Sequence, residues 1–168
     1  MEPTQPMHPI SPALKGLITG IIMIAVTLGL FYTKTPATSP FQYLPYLIYG
    51  AGIVWTLLAY RRSPQFTGRF RDIFNQGFRC FIVVTLLMVA FTAIFLKTQP
   101  QFKNEAATQY REFLIKEKNT LPQDIEPQTE QYRDRFNTRF ISAAVFGYLI
   151  AGVIVTLCCA ALLTRRTP

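Results

Sequence analysis

Histidine and buried charge are what this sequence most lacks. His8 is its single histidine and sits in a proline-rich leader, which argues against haem or zinc ligation through imidazole. Charged residues make up 15% of the chain, well under the roughly 25% of ordinary soluble domains. Four long apolar blocks contain no Asp, Glu or His at all. A proton relay or a carboxylate ion site inside a membrane bundle therefore has no residues to build it. Cysteine is scarce too: Cys80, Cys158 and Cys159. The topology derived below puts all three near one reducing membrane edge, so structural disulfides are not expected. Cys158 and Cys159 read as small apolar packing residues, with acylation beside an arginine pair as the alternative. No serine–histidine pair, phosphate-binding loop or metal motif occurs. The expected catalytic, cofactor-binding and metal-ligating residues are none, and the chain reads as a non-enzyme without cofactor.

Long apolar runs are what it has. Half of the residues are hydrophobic, and they concentrate in Ala13–Tyr32, Phe41–Tyr60, Phe78–Leu96 and Phe140–Leu163, blocks of 20, 20, 19 and 24 residues. Only Lys15 and Arg79 carry charge there, both near block ends. A helix rising about 1.5 Å per residue crosses a hydrocarbon core about 30 Å thick in roughly 20 residues, so all four blocks qualify. Soluble bundle helices keep a polar stripe for water, and these blocks lack one. A cleaved signal peptide is the alternative for the first block. Its apolar stretch exceeds the roughly 7–15 residues of a signal core, and Lys15 is the one basic residue at its start, after a proline-rich leader. The expected fold is all-α: an integral membrane protein with four transmembrane helices and an extramembrane helical hairpin between spans 3 and 4. Residues 1–12 are expected to be a disordered leader, and residues 13–168 a single domain.

Basic residues orient the chain. Arg61, Arg62, Arg69, Arg71, Arg79, Arg165 and Arg166 all fall on one side if there are four spans, which the positive-inside rule makes the cytoplasm. The segment 97–139 on the other side holds eight basic and seven acidic residues, so the bias is modest. Both termini are expected to be cytoplasmic. The net charge of +8 is explained by membrane edges and anionic headgroups, and a nucleic-acid partner is not expected. Tyr32, Phe41, Tyr43, Tyr46 and Tyr60 mark the interfaces.

Close helix contacts in lipid favour small residues. Gly16 and Gly20 in the first span, and Ala143, Gly147 and Ala151 continuing to Val155 and Cys159 in the fourth, are the expected packing stripes. The spacing of Phe70, Ile73, Phe74, Gly77, Phe78 and Phe81 predicts an amphipathic lead-in over 69–81 that snorkels into the third span. In the outer segment, Thr98 with Gln101 predicts a capping box for a helix over 101–118. Its apolar face would be Phe102, Ala106, Tyr110, Phe113 and Leu114, with Glu112 and Lys116 paired on the other side. After Asn119-Thr120-Leu121-Pro122, the residues Asp124 and Pro127 restart a helix carrying Tyr132, Phe136 and Phe140 into the fourth span.

These features together resemble the small membrane protein family catalogued as domain of unknown function 4199. The resemblance rests on Lys15-Gly16-Leu17, on the run from Gly68-Arg69-Phe70 to Gly77-Phe78, on the helical outer segment, and on the ending from Ala151-Gly152 to Arg165-Arg166. It implies a Gram-negative inner membrane and four spans, and it assigns no activity. The leading expectation is a non-catalytic membrane component in the lipid bilayer that binds a protein partner through the outer segment, or forms a homo-oligomer. The rival is a small oligomeric transporter or channel lined by Thr19, Thr27, Thr56, Thr85, Thr92 and Thr156.

Overall fold

A computed structural model describes residues 11–35, 39–117 and 121–164. The described residues contain helices and no strand: α1 (Pro12–Tyr32), a 3-10 turn (Pro40–Tyr43), α2 (Leu44–Arg61), α3 (Phe70–Thr98), α4 (Pro100–Glu117) and α5 (Pro122–Thr164). Four segments are long and apolar enough to cross a membrane: Pro12–Tyr32, Pro40–Arg61, Phe70–Thr98 and Pro122–Thr164. The chain is thus all-α and reads as a multi-pass membrane protein. The leader, Lys118 and the Arg165-Arg166 pair lie outside the described residues.

Local chemistry sets the helix ends. Ser11 caps α1, its Oγ accepting from the Leu14 amide at 3.2 Å, while Pro12 takes the first turn, where a missing N–H costs least. Before α3 the backbone turns through Gly68 at φ 70°, a left-handed conformation that a Cβ disfavours. Thr67 then donates to Asp72 Oδ2 at 2.6 Å, and α3 runs 29 residues without interruption. The amphipathic lead-in and the third span are one helix. The expected capping box at Thr98 is not made. The Thr98 hydroxyl donates instead to Ile94 O at 2.7 Å, so it finishes α3, and Gln99 alone separates the two helices. Nor is Glu112 paired with Lys116; an ion pair crosses from Arg111 to Glu126 at 2.7 Å. Helix α5 begins at Pro122, ahead of the expected restart, and continues for 43 residues through Pro127.

The described residues pack as two compact units, one from the parts of the chain before 89 and after 146, the other from those between. Neither boundary leaves a sequence signal, because α3 and α5 contribute to both units without a break.

In the first unit, pairs of contacts set helix directions. A Cβ on Gly16 would meet Cys80 O, and one on Gly20 would meet Leu87, so α1 and α3 run parallel. Tyr49 lies by Thr85 and Thr56 by Cys80, so α2 and α3 are antiparallel. Gly77 faces Thr156 and Phe81 faces Gly152, which makes α5 antiparallel to α3. This up-and-down register gathers Lys15, Tyr60, Arg61 and the start of α3 at one end of the unit. The core holds Met23, Ile53, Leu57, Phe81 and Val84 at 0% exposure. It also holds small and hydroxylic groups: Gly52 sits directly on the Thr19 side chain. Leu47, Leu86, Ile154 and Leu162 point outward and are exposed. Large aliphatic groups on the outside, with small and hydroxylic residues sharing the inside with large apolar ones, suit a hydrocarbon solvent, in which close backbone approach drives association.

The second unit is α4 paired with residues 89–98 of α3 and 122–146 of α5. Phe102 meets Phe136 and Phe140 while Arg111 meets Glu126, so α4 and α5 form an antiparallel hairpin.

Candidate functional site

The buried polar groups of the first unit serve its own architecture. Tyr49 donates to the Tyr148 backbone carbonyl at 2.9 Å, locking α2 to α5, and its hydroxyl stands 3.5 Å from Thr85 Oγ1. Tyr46 and Tyr148 stack at 5.5 Å. Thr19 donates to Lys15 O and Thr56 to Gly52 O, at 2.8 and 2.9 Å, and Thr27 does the same to Met23 O at 2.8 Å. Each hydroxyl satisfies itself one helical turn back. Thr156 Oγ1 is buried with no hydrogen-bond partner. The Lys15 ammonium lies 5.8 Å from the Trp55 ring centroid, a cation–π geometry at the unit's arginine-bearing end. Among the described residues, no three His, Cys, Asp or Glu side chains gather where they could hold a metal.

Gly16 and Gly20 lie where α1 meets α3. A Cβ at Gly16 would stand 2.6 Å from Cys80 O, so backbone lies against backbone there. The stripe expected on α5 does not face the core. Ala143 is exposed, Gly147 and Ala151 are half-buried, and a Cβ on Gly147 would find its nearest neighbour, Tyr46 Oη, at 3.9 Å. The buried positions are Tyr148, Gly152, Thr156 and Ala160, one residue further along. The physical reason is Tyr49, whose hydroxyl fills the space a Cβ on Gly152 would take. Arg61, Arg62, Arg69, Arg71 and Arg79 are all exposed. Beside them Phe70, Phe74, Phe78 and Phe81 follow one another along α3 at ring spacings of 5.1–6.2 Å.

The α4–α5 hairpin holds the features that its own packing leaves unused. Its seam is aromatic: Tyr110 stacks on Tyr132 at 4.3 Å, and Phe102 meets Phe136 and Phe140 edge-on at 5.8 and 5.7 Å. Ala107, Leu114 and Phe136 are buried in it. Phe113, Ile115 and Leu121, near the turn, stay 51%, 48% and 60% exposed. On the flank of the seam, Tyr110, Gln128, Gln131, Tyr132, Arg135 and Arg139 line a concavity of about 270 Å³. The sequence reading missed this feature; only the recurrence of Gln128, Gln131, Arg135 and Arg139 at helical spacing hinted at it.

The profile of a family described as protein of unknown function (DUF4199) matches residues 15–165. The chain belongs to that family. No curated protein and no solved structure matches it. The matched range takes in every helix of both units except the first three residues of α1. The buried Gly16–Cys80 contact and the aromatic hairpin are both inside it.

Proposed function

We propose that this chain is a non-catalytic integral membrane component whose α4–α5 hairpin stands outside the bilayer and docks a protein partner near its turn. The observation that carries this reading is the exposure of Phe113, Ile115 and Leu121 on a hairpin that has already closed its own aromatic seam. Burying a large apolar side chain is worth about 1.5–3 kcal/mol. The exposed aliphatics of the four spans find that burial in lipid; these three, set in a charged segment, have neither lipid nor core. The reading places the protein in a bacterial inner membrane with both termini cytoplasmic. It is supported by the exposed arginines gathered at one end of the first unit and by the positive-inside rule. A channel lining draws no support from Thr19, Thr27 and Thr56, whose hydroxyls are spent on their own helices.

Two experiments test it. Single cysteines at Gln65 and Gln109, in a background lacking the native three, should label from opposite sides of the membrane, Gln65 from the cytoplasm; labelling from one side rules the topology out. A photo-crosslinking amino acid at Phe113 or Ile115 should then give a discrete adduct in native membranes that Phe113→Ser/Ile115→Ser chains no longer compete for. An adduct of twice the chain mass would make the partner a second copy, and absence of any adduct would remove the docking role.

A further inference from the structure

The concavity on the hairpin flank has the chemistry of an anion receptor. Gln128, Gln131, Tyr132, Arg135 and Arg139 are spaced by three, one, three and four residues, so one stripe of α5 supplies them, and Tyr110 of α4 closes the other wall. Two guanidinium groups, two carboxamides and two phenols make a wall dominated by N–H and O–H donors. Among the described residues, no carboxylate stands within 4.0 Å of either arginine; the acidic group that pairs across the hairpin, Glu126, is held by Arg111. Like charges four residues apart on a helix repel, and Arg135 and Arg139 are such a pair. An anion between them turns that repulsion into two charge-assisted bonds, each able to be bidentate to phosphate. Their place along the helix sets the depth. Arg139 directly precedes the uncharged run that begins at Phe140, and Arg135 is about 6 Å further along the axis, which is the headgroup layer of a bilayer spanned by α5.

We propose that this concavity binds a phosphate group through Arg135 and Arg139, supplied either by a phospholipid headgroup of the adjoining leaflet or by a phosphate-bearing solute. The site does not depend on a protein partner at the hairpin turn. The test uses the full chain purified in a neutral detergent. Retention of phosphatidylglycerol against phosphatidylcholine is read by native mass spectrometry, and protection by inorganic pyrophosphate is read from thermal unfolding. Preferential phosphatidylglycerol retention that falls about tenfold or more in Arg135→Gln/Arg139→Gln assigns the lipid source. Saturable pyrophosphate protection without lipid preference, lost in the same variant, assigns the solute. Arg133→Gln is the control: Arg133 is also exposed but sits about 200° round the helix from Arg135, and it should leave either signal intact. An equal loss in Arg133→Gln, an unchanged signal in the double variant with native helicity by circular dichroism, or binding of neither probe overturns the site.

Discussion

Replacing Gly152 with alanine should destabilise the first unit by overpacking it. The new Cβ would stand 2.8 and 2.9 Å from Cγ and Cδ2 of Phe81 and would overlap the Tyr49 hydroxyl. Carbon atoms settle at about 3.5–4.0 Å, so α5 must back away by roughly 0.7–1 Å. Neither ring can yield, because Phe81 is 0% and Tyr49 1% exposed. Overpacking of this kind costs about 1–3 kcal/mol. The retreat also stretches the 2.9 Å bond from Tyr49 to the Tyr148 carbonyl, a bond class worth about 0.6–1 kcal/mol in a membrane. Alanine's better helix propensity returns under about 1 kcal/mol, leaving a net loss of about 1–3 kcal/mol. Gly50→Ala supplies the reference. Nothing lies within 4 Å of its would-be Cβ, so it takes the propensity gain without the clash. Unfolding in mixed micelles of rising dodecyl sulfate fraction, followed by the fluorescence of the single tryptophan, Trp55, compares the two. If Gly152→Ala and Gly50→Ala unfold at the same dodecyl sulfate fraction, the close packing of α2, α3 and α5 at this point is refuted.

Tyr49→Phe removes one cross-helix donor but leaves the Tyr148 carbonyl its intrahelical bond, so the same titration should show a loss of only about 0.5–1 kcal/mol, smaller than that of Gly152→Ala. Thr156→Val exchanges a buried, unpartnered hydroxyl for an isosteric methyl. Its unfolding midpoint should hold or rise, by up to about 1 kcal/mol, and a clear fall would mean that Oγ1 has a partner. Phe136→Ala opens the middle of the hairpin seam, a change that costs about 3–5 kcal/mol in well-packed cores. Hydrogen exchange should show the amides of 100–117 losing protection while those of α1 and α2 keep theirs.

The lengths of the spans were legible because a helix in lipid is apolar on every side, and an unbroken block states its extent directly. The same property hides rotation about the helix axis. On α5 the candidates Ala143, Gly147 and Ala151 differ from the buried Tyr148, Gly152, Thr156 and Ala160 by one residue, about 100°, and both stripes contain small residues. What selects between them is the Tyr49 side chain, carried by a helix nearly a hundred residues earlier, and no local pattern reports it. Gly16 and Gly20 suffer less from this ambiguity, because Lys15 and Thr19 share their side of α1 and leave the aliphatics at Ile21 and Ile22 to face out. Thr98 misleads for a related reason. Its spacing to Gln101 fits a cap, yet an intact turn of α3 already offers its hydroxyl the Ile94 carbonyl.

The hairpin reverses the balance between what pattern shows and what it conceals. Tyr132, Phe136 and Phe140 recur every four residues among charged and amide side chains, so an apolar face is visible there before any partner is known. The polar residues beside them carry no such signal, since a solvated helix flank and a receptor wall are built from the same side chains. Gln128, Gln131, Arg135 and Arg139 become a site only because Tyr110 stands across from them, stacked on Tyr132 at 4.3 Å. That stack ties the concavity to the seam. A change that opens the hairpin, such as Phe136→Ala, should therefore weaken phosphate-group binding although Phe136 does not line the concavity. Arg135→Gln/Arg139→Gln should abolish binding and leave amide protection in 100–117 unchanged. Loss of protection in the double variant as well would make the two arginines part of the hairpin's fold and leave the receptor without a wall of its own.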